Sequence, residues 1–402
     1  ILQPKANVLL EDLQNIRDTL IRDQALNALS TYNFVEAEYP LVFSAIGKSY
    51  ADDAQYDGIK CRLIQELANF NTNAILPLLE NTLLTGSPAV KAAALETLSK
   101  SPVEGATKVY FKFLDAAAQS GDKDWLLEAS LKWYPTLGFQ DSIQKFIAHF
   151  EHFKKLADSG VLLPDFFLMF SKCIDELPVD ELQPLIKDQD FMVNAAQTLV
   201  KQLQSQAEEG NTSWAYATLV QVFKGLPPHP IQLELSREIL INGEDAYTRQ
   251  QALAYLLDHE TYTPDMEDLT GLLQDSLYAI ETIDLLKAHD LLNLVPGRLL
   301  TKENLGKLMI QNYLFEYDES PDSCRFIRTE TTAYKGKIAE VMLFEFYTHG
   351  EGPFLSIAGP FYEEEGNLNW KREYCNISYE NYENESDRKA IYQAMMKEVL
   401  EE

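Results

Sequence analysis

The apolar positions between residues 57 and 118 form one pattern written twice. Ile59, Leu63 and Leu67 recur every fourth residue and predict one face of a helix. After a polar break at Asn71–Asn73, Ile75, Leu78, Leu79 and Leu83 draw a second stripe. Val90, Ala94 and Leu98 repeat the first stripe 31 residues on at each position, and Ala106, Val109, Tyr110, Phe113 and Leu114 repeat the second. Two helices, a short turn and a period in the thirties predict a stacked repeat in which each hairpin hides its apolar face against the next. The punctuation fits. Ser87-Pro88 is expected to cap and open a helix, Ser101 and Glu104 to form a capping box, and Gly86 to end a helix in the left-handed conformation. Pro77 is tolerable in a first turn, where N–H groups lack partners anyway.

The helical period extends both ways. Residues 8–30 read as one helix with Leu9, Leu13, Ile16 and Leu20 on a single face, and Val35 to Ile46 follow as a second. A third hairpin is expected at 123–134 and 141–157, divided at Pro135–Gly138. Helices are expected again over 166–174, 179–186, 191–203, 214–223 and 231–241, then at 249–257. Thr263-Pro264 should open the next, striped by Leu269, Leu272, Leu273 and Leu277, with further helices at 278–294 and 303–315. No segment before residue 316 alternates as a strand does. From about Tyr317 β-formers take over: Cys324–Thr331, Lys337–Thr348, Phe354–Ala358 and Trp370–Tyr379 predict strands, with turns at Lys335-Gly336 and His349–Gly352 and a closing helix over Ser386–Leu400.

In the stripes of 57–118, and again over about 247–295, the chain resembles HEAT-type or armadillo-like repeats. The resemblance implies a helical solenoid that binds partners along a concave surface, and it brings no catalytic residue with it. The expected fold is therefore mainly α: a HEAT-like α-solenoid over 1–316, followed by a small α+β domain with an antiparallel sheet over 317–402. That last domain is expected to cap the solenoid's apolar end.

Charge narrows the function. With 34 basic and 62 acidic side chains among 402 residues, the net charge of −28 argues against nucleic acid or an anionic membrane surface and favours a basic partner. No apolar run approaches the roughly 20 residues that span a bilayer. Ile1 is not an initiator methionine, which tilts expectation towards a processed, exported chain, with the compartment left open. It also allows an accessory region of a larger enzyme.

Candidate chemistry is sparse. Nucleophile-elbow, phosphate-loop, dinucleotide and H-E-x-x-H zinc motifs are absent, so no catalytic residue, cofactor or metal is expected, and the chain is read as a non-catalytic scaffold for a protein or peptide. His149 and His152 share a helix face but lack a third ligand, and Glu363–Glu365 reads as a solvated turn rather than a cation site. Cys61 and Cys173 read as buried small hydrophobes, while Cys324 and Cys375 are candidates to pair. Asn211, Asn376 and Asn384 begin acceptor triplets for glycosylation. The aromatic stretch 361–382 singles out Tyr362, Trp370 and Tyr374, which suit a sugar ring or an exposed peptide if they are not consumed by packing.

Overall fold

The computed structural model describes residues 4–15, 18–52, 56–121, 123–133, 142–206, 212–259, 262–316, 321–382 and 384–401. The expectations at Ile16, Pro135–Gly138, Asn211 and 317–320 lie outside these residues. The chain divides into two compact units, Ile1–Ser236 and Arg237–Glu402.

The first unit is helical throughout its described residues. Its helices are α1 (Pro4–Leu13), α2 (Thr19–Leu29), α3 (Tyr39–Ala51), α4 (Asp57–Gln65), α5 (Leu76–Thr85), α6 (Pro88–Lys100), α7 (Glu104–Ser120) and α8 (Asp124–Trp133). They continue as α9 (Ser142–Ala148), α10 (Phe150–Asp158), α11 (Leu163–Glu176), α12 (Val179–Ile186), α13 (Gln189–Ser205), α14 (Ser213–Gly225) and α15 (Pro230–Asn242), the last crossing into the second unit. The 31-residue period governs the core. Ile59, Leu63 and Leu67 are buried, as are Val90, Ala94 and Leu98, and the shift carries through the second helices from Ile75, Leu79 and Leu83 to Ala106, Tyr110 and Leu114. First helices stack in one row, α4 on α6 on α8 on α11 on α14, and second helices in another, α5 on α7 on α10 on α13. This is a HEAT-like arrangement, with each hairpin's stripe covered by its neighbours.

Polar contacts follow the same period. Ser87 Oγ donates to Asp57 Oδ2 (2.5 Å), Gln65 Nε2 to Glu96 Oε2 (2.9 Å), and Thr97 Oγ1 to the Ile64 carbonyl (3.2 Å). In the second row Lys112 meets Glu80 at 3.2 Å and Lys154 meets Asp188 at 2.7 Å.

Several local expectations are corrected. The helix expected over 8–30 is two, because Asp18 accepts from the N–H groups of Leu20 and Ile21 and starts α2 afresh; Leu20 ends 66% exposed. The helix expected over 141–157 breaks at His149, whose φ of −116° and ψ of 17° leave the helical region. Ser87 occupies the cap position but spends its hydroxyl on Asp57, and α7 begins after Val103, so the Ser101–Glu104 box does not form. Gly86 is extended (φ −71°, ψ 160°) rather than left-handed; a Cβ there would stand 2.7 Å from the Thr82 carbonyl oxygen, so close approach is what requires glycine. Pro77 does lie in the first turn of α5.

The second unit continues with α16 (Ala246–Asp258), α17 (Met266–Gln274), α18 (Ala279–Ala288) and α19 (Lys302–Glu316). The cap of α17 is Asp265 in a box with Asp268, not Thr263. Then come β1 (Ser323–Tyr334), β2 (Lys337–Thr348), β3 (Glu351–Glu364), β4 (Asn367–Trp370), β5 (Asn376–Ser378) and α20 (Glu385–Glu401). The sheet is antiparallel in the order β1-β2-β3-β4, with β5 also on β3. All three tight turns are built alike: Lys335-Gly336, His349-Gly350 and Glu365-Gly366 each place two successive residues at positive φ, which matches the twist of the strands they join. The fourth strand ends at Trp370 rather than running to Tyr379. One sheet face carries Val341, Leu343, Leu355 and Ile357 against Ile391 and Met395 of α20; the other carries Phe344 and Ala358 against Gly306 of α19.

Candidate functional site

The three aromatics singled out in the sequence do not converge. Alternation along a strand sends neighbouring side chains to opposite faces. Trp370 lies opposite Phe361 in register, and Tyr362 opposite Asn369, so Trp370 and Tyr362 point to different sides. Trp370 is 5% exposed and donates from Nε1 to Asp284 Oδ1 at 2.6 Å, while Lys287 Nζ stands 4.0 Å above its ring. Burial holds the Lys287 ammonium below its ordinary pKa; Lys371 adds to that and Asp284 opposes it. Next to it Arg372 reaches Glu281 at 3.1 Å, and Glu281 also accepts from Gln250 (3.0 Å) and Asn312 (3.2 Å). This network fastens α16, α18 and α19 to the sheet.

Tyr362 and Tyr374 share the other face with a tyrosine that the sequence did not single out. Tyr334 has ring centroids 5.6 Å from each of them and is itself buried. Lys337 Nζ lies 5.4 Å from the Tyr362 ring and Lys335 Nζ 5.2 Å from that of Tyr334. Tyr334 precedes the Lys335-Gly336 turn, and no local pattern could have linked it to residues 28 and 40 places further on.

In the first unit an apolar cleft of about 160 Å3 opens between α5 and α7. Leu83, Leu84, Val109, Phe113 and Ala116 line it, and the Glu80–Lys112 pair sits at its rim. Leu84 is 75% exposed, whereas Leu83 beside it is buried in the stack. The 31-residue repeat set Leu83 inward and so turned Leu84 out. Phe113 stands 5.8 Å from Trp125 of α8, ring edge towards ring face.

The remaining candidates have structural partners. His152 approaches Asp115 at 3.0 Å and stacks on Phe111 with centroids 4.2 Å apart, and His149 lies against the same ring. Among the described residues no three His, Cys, Asp or Glu side chains converge as a metal site. Glu364 pairs with Lys337, and Glu363 points to the other side of the strand. The expectation that Cys324 and Cys375 could pair is corrected: all four thiols are free, and β2 and β3 separate the two residues. Burial pushes the thiols of Cys61 and Cys173 up to about 11 and about 12, which suits inert core residues. No described helix is long and apolar enough to cross a membrane.

No family model matches the chain, and no curated protein matches it. Among solved structures, one match is the complex of CpcE and CpcF of phycocyanin lyase from a Nostoc species, at 17% identity and a TM-score of 0.25, over 72% of this chain and 95% of that one. Another is human deoxyhypusine hydroxylase with glycerol, at 14% identity and a TM-score of 0.23, over 64% and 96%. At these scores the likeness assigns this chain neither a reaction nor a partner. The expectation that the chain is not an enzyme is withdrawn: it rested on missing motifs, and both neighbours are enzymes by name. A fold does not fix chemistry, and missing motifs from other folds are no ground for excluding it.

Proposed function

We propose that this helical scaffold binds a partner protein or peptide, and that the cleft between α5 and α7 is where a bulky apolar side chain of that partner is anchored. The observation that carries this reading is Leu84, 75% exposed on the lining of an apolar cleft whose neighbouring Leu83 is buried. The net charge of −28 supports a partner with basic residues flanking that anchor, since opposite charge speeds encounter. Tyr362 and Tyr374, beside Tyr334 and its lysines, are read as a second contact point for a peptide or sugar ring, and Trp370 as the residue that holds the neighbouring strand β4 in place. Residues 317–402 are read as a cap.

The test uses a partner identified by capture with the full chain from its source cell. Leu84→Asp is expected to weaken that partner's binding at least tenfold, a loss of about 1.4 kcal/mol, with the melting temperature unchanged because the side chain is exposed. Undiminished binding by this variant would sink the cleft as the contact site.

A further inference from the structure

Asp165 lies in the first turn of α11 and is 2% exposed. The Ser130 hydroxyl of α8 donates to its Oδ2, and buried Tyr110 of α7 lies within electrostatic reach. These three residues come from three consecutive hairpins and meet where α8 packs on α11. Among the described residues no Lys, Arg or His pairs with the carboxylate. Among the described residues of α9, α10, α13 and α14, no charged group bears on it; the polar groups that do are Ser130, Tyr110 and its own backbone. A carboxylate sealed from water without a cation is costly to ionise, because one hydroxyl and a helix N-terminus replace only part of its hydration.

We propose that the seam between α8 and α11 is a pH-operated joint, closed when Asp165 is protonated and loosened when it ionises. Burial raises the group to about 7 from 3.8, against the opposing pull of Ser130 and its own backbone bond. The sign follows from linkage. A folded-state pKa above the unfolded one means that the native state holds the extra proton, so stability is full below about pH 4 and falls as pH rises through about 7. Loosening is local, because each hairpin contacts only its neighbours. A partner spanning α7 to α11 would therefore meet differently spaced helices on the two sides of neutrality.

The test is amide hydrogen exchange on the full chain at about pH 5.5 and about pH 8.5, corrected for intrinsic rates, for the wild type, Asp165→Asn and Ser130→Ala. At the higher pH the wild type is expected to lose protection in α8 and α11 by up to about 30-fold, the ionised-to-neutral ratio of a group titrating near 7. The helices α4 to α6 should hold theirs, and Asp165→Asn should show no such loss. Ser130→Ala should move the transition to higher pH, since the hydroxyl favours the charged form. It decides the matter alone if the asparagine variant does not fold. An equal pH response in wild type and Asp165→Asn would overturn the joint, as would a loss spread evenly over the unit or a midpoint unmoved by Ser130→Ala.

Discussion

Gly306 shows how much one missing Cβ can carry. It sits on α19 where the helix lies on the sheet, and a Cβ there would stand 2.8 Å from two ring carbons of Phe344. Phe344 is fully buried and cannot yield without displacing its own neighbours. Gly306→Ala is therefore expected to destabilise the protein by about 1–3 kcal/mol in denaturant unfolding, although alanine is the better helix former by about 1 kcal/mol. A neutral or stabilising substitution would show that the sheet moves away freely. Gly86 follows the same logic, with a backbone oxygen in place of the ring. The sequence shows only that a glycine stands at each position, and the structure supplies the neighbour that requires it.

Among elements, the decisive contact in the second unit is β4 against α18. Trp370 buries a large ring there, and its Nε1–H reaches Asp284, so one side chain supplies both apolar area and a charge-assisted bond. Trp370→Ala is expected to cost about 3–5 kcal/mol of stability. Trp370→Phe should keep part of the packing and lose the bond to Asp284, costing less. Thermal unfolding of the two variants orders them, and equal losses would mean that the packing kept by phenylalanine contributes nothing and that the lost bond to Asp284 accounts for the whole effect. In the first unit the elements were largely legible, because each amphipathic stripe reports the face of its own helix. The breaks at Asp18 and His149 were not. A polar residue inside a periodic stretch reads the same whether it caps a new helix or faces solvent.

At the scale of the whole molecule, the acidic excess acts against the compact state. Spread over both units, a net charge of −28 repels itself, and paired lysines and arginines neutralise it only locally. Raising sodium chloride from about 0.02 M to about 0.5 M shortens the Debye length from roughly 20 Å to a few ångströms and is expected to raise the melting temperature by a few degrees. A lower melting temperature in salt would mean that attractive pairs outweigh the repulsion.

The amino-acid order alone determined the helical repeat with its 31-residue shift, the change from helices to strands towards the C-terminal end, and two of the three X-Gly turns. Those features depend on residues near one another in the chain, and period and turn chemistry record such relations directly. Tertiary structure decided that Trp370 holds the sheet to α18, that Tyr334 joins Tyr362 and Tyr374, and that Asp165 is sealed between α8 and α11. Each of these joins residues tens of positions apart. A local pattern gives the face a side chain takes, and the fold alone says which element covers that face.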